Sequence, residues 1–312
     1  MDILIDIILK AGRSAVDLAL FVLLPVMVVM LALMRLLEAR GALDWIVEKL
    51  APLLHPLGLT GLGVFAALQI NFVSFAAPLA TLTMMEQRGT SDRHLAATLA
   101  MVFAMAQANA VLPMLTMGLD FVTTLVFSLL GGLAAAAATY YLFGRRLSAV
   151  EATLDETLHH PVAEDAKGVL DVINRAGAEA FKIAIGAIPM LVLSLVAVMA
   201  LKHFGVIGLI TQALTPLLAL AGIDPVLILP SLTKYLAGGT AMMGVMDEMR
   251  RSGQVSVELL NASAGFLISP FDLVGVAVLI SAGRRVASVW KPAALGACVG
   301  IALRTIGHAL CA

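Results

Sequence analysis

Residues 95–119 read LAATLAMVFAMAQANAVLPMLTMGL, a run with no charged side chain and with two amides, Gln107 and Asn109, set in its middle. A helix needs roughly 20 predominantly apolar residues to cross about 30 Å of hydrocarbon. Polar groups at that depth must be satisfied by neighbouring helices or by a water-filled cavity. One stretch therefore predicts both a membrane span and a place where chemistry is concentrated.

The rest of the chain agrees. Its 312 residues are 61% hydrophobic and 13% charged, with a mean hydropathy of +0.99, whereas a soluble domain is about half apolar and a quarter charged. Further neutral runs occupy 18–34, 121–143, 183–201 and, shorter, 292–303, and none alternates in polarity as a barrel strand does. The expectation is an all-α integral membrane protein, multi-pass, in the cell inner (plasma) membrane. A net charge of −1 and 5% aromatic residues argue against nucleic acid as a partner. Cys298 and Cys311 show neither metal-ligand spacing nor a disulfide framework, so no metal and no cofactor are expected. Residues 1–13 lack a signal peptide's basic start and cleavage site, and Ile3, Leu4, Ile7 and Ile8 suit an amphipathic interfacial turn.

Slid against itself by about 164 residues, the sequence matches. LIDIILKAG at 4–12 faces VLDVINRAG at 169–177, and Pro25, Gly41, Pro52, Gly58 and Gly89 meet Pro189, Gly205, Pro216, Gly222 and Gly253. Glycine and proline fix backbone events, so their agreement predicts shared bends. Two membrane repeats follow, 1–144 and 169–312. The polar stretch from Arg145 to Lys182 lies between them, with the linker itself at 145–168; His159 and His160 among its carboxylates read as a solvated loop rather than a metal site. Arg145 and Arg146 end the last span of the first repeat, while Arg284 and Arg285 begin that of the second. Placing both pairs on the cytoplasmic side predicts inverted repeats, although Arg250 and Arg251 then fall on the outer side.

Segments 59–85 and 223–246 are punctuated by glycine and proline, which predicts broken or re-entrant helices. Lys234 and Asp272 lie between apolar runs, where a charge faces a cavity or a partner. The repeat sets Gln69 and Asn71 opposite Thr233 and Tyr235, flanking Lys234, and Gln107 and Asn109 close to Asp272. Gly238, Gly239 and Thr240 belong to the densest small-residue run, and Ser269-Pro270 frees a carbonyl next to Asp272. With Ser74, these are the candidate substrate-binding residues. The alternatives are a structural ion pair between Lys234 and Asp272, a snorkelling lysine, amides that join helices, and a simple kink. Gly296 and Gly300 have helix-contact spacing, and the histidines His55, His94, His203 and His308 are expected near segment ends.

The runs Gly205-Val206-Ile207, Pro216-Leu217, Gly222-Ile223-Asp224-Pro225 and 236–244, echoed by Gly41-Ala42-Leu43-Asp44 and Pro52-Leu53, resemble the nucleoside-recognition (Gate) family of membrane proteins. The chain is similar to spore maturation proteins A and B joined in one polypeptide, and the family also takes in parts of concentrative nucleoside transporters. It departs from that pattern in having Lys234-Tyr235 ahead of the small-residue run. The resemblance implies a duplicated helical bundle that moves or recognises a small polar solute.

The expected function is a transporter or permease-like protein binding a small polar or anionic solute, nucleoside-like by resemblance, at mid-membrane between the repeats. Lys234 would be the cationic anchor, and Asp272 the site of a coupling proton or cation. A non-transporting scaffold or accessory subunit is the alternative, and a homodimer is possible. No nucleophile elbow, phosphate loop or zinc-binding helix motif points to an enzyme.

Overall fold

The computed structural model describes residues 2–150, 168–206, 208–209, 212–213 and 224–312; His159, His160, Pro216 and Gly222 lie outside these. The chain is a multi-pass membrane protein. Among the described residues five helices are long and apolar enough to cross a bilayer, at Leu4–Ala39, Asp92–Met117, Phe121–Phe143, Val169–Leu201 and Trp290–Cys311.

The first repeat comprises α1 (Asp2–Asp17), α2 (Leu24–Ala39), α3 (Ala42–Leu54), α4 (Gly61–Phe72), α5 (Pro78–Gln87), α6 (Asp92–Ala104), α7 (Ala108–Met114) and α8 (Phe121–Ala138). The second comprises α9 (Val169–His203), α10 (Ile228–Ala237), α11 (Gly239–Arg251), α12 (Val257–Leu267), α13 (Leu273–Ile280), α14 (Arg284–Ser288) and α15 (Trp290–Cys311). Both repeats thus hold a long helix, a hairpin (α4–α5 or α10–α11), a span broken in its middle (α6–α7 or α12–α13) and a closing span. Local signals recur with them. Gly41 and Gly205 have φ of 69° and 71°, and Gly89 and Gly253 have 74° and 72°, left-handed values that only glycine adopts freely. Ser91 and Ser256 each cap the helix that follows, accepting from the N–H of His94 and Leu259.

Two contacts fix the direction of each repeat. At one end, the Glu86 carboxylate accepts the N–H groups of Arg285 and Val286, while the Arg285 guanidinium binds Asp92 at 2.6 Å. At the other, Asn261 accepts the N–H of Asp120 at 2.7 Å and donates to Gly118 O, and Arg250 donates to Met117 O. The loop before α6 therefore shares an end with the loop after α13, and the loop after α7 shares the opposite end with the start of α12. The two broken spans run in opposite directions, so the repeats are inverted.

Three corrections concern the ends of elements. Residues 2–13 do not form a separate interfacial turn: α1 runs through a π-helical turn, Leu18–Leu23, into α2, with Ala11 and Ala15 buried beneath α9. The polar stretch does not lie wholly between the repeats: its end, 169–182, is the start of α9. The last span continues past 303 to Cys311 and carries Arg304 and His308 buried against its neighbours; His308 bonds Asn261 O and His94 lies in the first turn of α6, so both histidines are buried near segment ends. Gly296 and Gly300 do serve close packing: a Cβ at Gly300 would lie 2.2 Å from Gly131 O of α8.

Candidate functional site

The site lies where both spans are broken. Met105, with ψ of 158°, takes α6 out of helical conformation, and Gln107 (ψ 124°) starts α7; Asp272 (ψ 174°) starts α13 after the extended turn at Ser269-Pro270. The freed backbone groups find each other across the repeats. Gln107 N–H donates to Ile268 O at 3.0 Å, and its Nε2 reaches Ser269 O at 3.4 Å. Such pairing satisfies irregular backbone at a depth where water is excluded.

The hairpins break beside the same point. The α4–α5 turn covers 73–77, and α10 gives way to α11 at Gly238, whose φ of 92° needs glycine. Asn109 joins the two turns: its Oδ1 accepts Phe75 N–H at 3.1 Å and its Nδ2 donates to Thr240 Oγ1 at 3.3 Å. Asp272 Oδ1 caps α13 by accepting Gly275 N–H at 2.8 Å. The N-terminal ends of α5, α7, α11 and α13 consequently meet around one cavity of about 540 Å³. Its polar lining includes Ser74, Gln107, Asn109, Thr240 and Asp272, with backbone at Gly238, Gly239 and Gly275. α9 adds an apolar wall at Ile183, Gly186 and Ala187, and two charges, Glu179 and Lys182. Helix N-termini present N–H groups and the positive end of the helix dipole, which suits electronegative atoms of a solute.

A second cavity of about 370 Å³ adjoins the first, sharing Ala76, Ala77 and Glu179. Arg35 stands in it, bonded to Glu38 at 2.8 Å and to Glu179 at 3.0 Å.

Seven of the residues expected from sequence line the main cavity: Ser74, Gln107, Asn109, Gly238, Gly239, Thr240 and Asp272. The others stand behind its wall. Gln69 accepts from Thr81 and faces the second cavity, and Asn71 is buried between the Ser128 hydroxyl and Met105 Sδ. Thr233 bonds back to Leu229 O within its own helix, a common end for a hydroxyl in a membrane helix. Ser269 contributes its carbonyl rather than its hydroxyl. Lys234 is fully buried with Nζ on Phe271 O at 2.6 Å, so it does not line the cavity; Asp272 attracts its charge without direct salt-bridge contact. Lys234 and Gly238 are one turn apart on the same helix face; they differ because α10 has stopped at Gly238, where bare backbone reaches the cavity, whereas Lys234 is still inside the packed helix. Glu179, Lys182 and Arg304 carry no signal in the sequence: the first two close a long polar stretch, and Arg304 follows the last apolar run. Among the described residues no group of three or more His, Cys, Asp or Glu side chains is placed to hold a metal.

Residues 20–147, most of the first repeat, match the family model described as "Gate: Nucleoside recognition". No curated protein sequence matches significantly. Among solved structures, CNTnw in an inward-facing substrate-bound state is similar with a TM-score of 0.69 and 17% identity, over 98% of this chain and 82% of that one. A CNTnw variant in an outward-facing state gives 0.68 and 18%, over 98% and 83%. Another in an intermediate state gives 0.65 and 16%, over 98% and 86%. At these identities the likeness establishes a shared fold, from end to end of this chain.

Proposed function

We propose that this chain is an inner-membrane transporter that carries a nucleoside-like solute through the cavity between its two repeats. The observation that carries the reading is the meeting of half-helix N-termini and polar side chains from both repeats at one mid-membrane cavity. Its volume falls in the 300–1,000 Å³ range of small-molecule sites. The amides of Gln107 and Asn109 and the hydroxyl of Thr240 supply donors and acceptors for hydroxyl and carbonyl groups, while Ile183, Gly186 and Ala187 offer an apolar face against which a flat ring can lie. Glu179 is paired with Arg35, and Lys182 balances Asp272 along the lining, which favours an uncharged polar solute.

The fold supports movement as well as binding. Inverted repeats around a central site are a means of alternating access, in which one arrangement opens the site to one face and its mirror opens it to the other. CNTnw, which has this fold, is known in inward-facing, intermediate and outward-facing states. In this chain the second cavity beside Arg35 and Glu179 reads as one such access path. A scaffold would have filled the same space with dry contacts.

A thermal-shift panel of purified protein against nucleosides, nucleobases and free sugars tests the reading. Nucleosides should raise the melting temperature with concentration, because a ligand that binds only the folded state stabilises it by mass action. No shift with any nucleoside at millimolar concentration would refute the assignment.

A further inference from the structure

Two cations stand at the helix breaks with no carboxylate in salt-bridge contact among the described residues, although Asp272 is near enough to Lys234 to attract its charge. Lys234, at the end of α10, is fully buried and gives its ammonium to Phe271 O in the extended segment between α12 and α13. Arg304 of α15 is likewise fully buried. Its Nη1 donates to Ala104 O at 2.5 Å, the last residue of α6, and its Nη2 reaches Ala264 O at 3.5 Å in the last turn of α12. Arg304 thus joins the C-terminal ends of the two broken spans, one from each repeat.

A charge at bilayer depth is costly and persists only with compensation. For Arg304 the compensation is Ala104 O, where α6 stops at the negative end of its dipole; for Lys234 it is the unwound carbonyl of Phe271, the Tyr235 ring face 4.2 Å from Nζ, and the nearby charge of Asp272. Broken helices of this kind are where secondary transporters hold a coupling cation, on unwound carbonyls and half-helix C-termini. In this chain those carbonyls already carry the protein's own ammonium and guanidinium. The break in the first repeat is closed to a cation as well. Asn71 Oδ1 accepts the Ser128 hydroxyl at 2.6 Å, Ser128 Oγ accepts Ala106 N–H at 2.8 Å, and the thioether of Met105 stands against the Asn71 amide. A thioether is a poor ligand for a hard cation.

We propose that Lys234 and Arg304 are tethered cations occupying the cation seats at the helix breaks, so that solute binding by this chain requires no soluble alkali-metal ion. The bearing on transport rests on the solute reading above; the bearing on the seats does not.

The test compares the purified full-length protein in sodium, lithium, potassium and choline chloride at equal ionic strength. The melting temperature should be the same in all four. Affinity for uridine and adenosine should change by less than about twofold, whereas ion coupling of the usual strength shifts affinity by roughly 5- to 150-fold. Lys234→Ala vacates one seat, so its melting temperature should become cation-dependent and rise on addition of ethylammonium or sodium, with no such rise in the unaltered protein. Stabilisation of the unaltered protein by sodium relative to choline would overturn the proposal, as would a folded Lys234→Ala variant no more responsive to cations than its parent. If that variant does not fold, the salt comparison on the unaltered protein decides alone. If neither nucleoside binds in any salt, the solute reading fails while the melting comparison still decides the question of the seats.

Discussion

Gly239 sets the width of the cavity. A Cβ there would lie 1.9 Å from Gln107 Nε2, and the amide cannot swing away without leaving Ser269 O. Gly239→Ala should therefore weaken nucleoside binding by about tenfold, the equivalent of one lost hydrogen bond, with little change in melting temperature. Isothermal titration measures this, and an unchanged affinity would remove the Gln107 amide from the solute's contacts. Asp120 offers a test by pH. It caps α8, and the Thr123 N–H holds its carboxylate below the usual range. A carboxylate with a depressed pKa stabilises the fold at neutral pH and loses that contribution as pH falls through its folded-state value. Asp120→Ala should thus cost about 0.5 kcal/mol at neutral pH, the low end for an exposed cap, with the gap from the parent closing in acid. Melting curves across pH report both. At this scale Gln107, Asn109, Gly238, Gly239, Thr240 and Asp272 were legible because each interrupts an apolar run. Arg304 was not, because what makes it tolerable is Ala104 O, a carbonyl two hundred residues away in the chain.

Elements meet through small residues. The closing spans α8 and α15 cross where Gly131, Gly296 and Gly300 leave no room for a side chain. Gly300→Val forces the backbones apart and should destabilise by about 1–3 kcal/mol, as overpacking does. Gly12 is the contrasting case: it lies inside α1 with nothing within 4 Å of a Cβ, so Gly12→Ala should stabilise by about 0.5–1 kcal/mol. Thermal denaturation in detergent distinguishes the two, and a tolerant Gly300→Val would mean that the crossing is looser than described. The spacing of Gly296 and Gly300 announced the contact in the sequence. The continuity of α1 with α2 was hidden, since Asp6, Lys10 and Arg13 read as a surface turn. Only the long antiparallel partner α9 explains why Ala11 and Ala15 are buried there.

At the scale of the whole molecule, duplication was visible as matched glycines and prolines, and inversion was suggested by paired arginines. What sequence lacked was a contact joining the ends of different repeats, which Arg285 with Asp92 and Asn261 with Asp120 provide. Inversion makes equivalent loops face opposite sides of the membrane. After removal of the exposed Cys298 and Cys311, single cysteines at Gln87 and Gln254 should be labelled by an impermeant thiol reagent from opposite faces; labelling of both from one face would contradict the topology.

The most direct measurement of the central claim is uptake of radiolabelled nucleoside by proteoliposomes containing the unaltered protein or Gly186→Phe. Gly186 lines the cavity, and a Cβ there meets nothing within 4 Å, so the larger side chain fills the chamber without disturbing its walls. Saturable uptake by the parent, abolished in a Gly186→Phe variant that keeps its melting temperature, is the predicted result. Absence of uptake for every nucleoside, or uptake undiminished with the chamber filled, would contradict it.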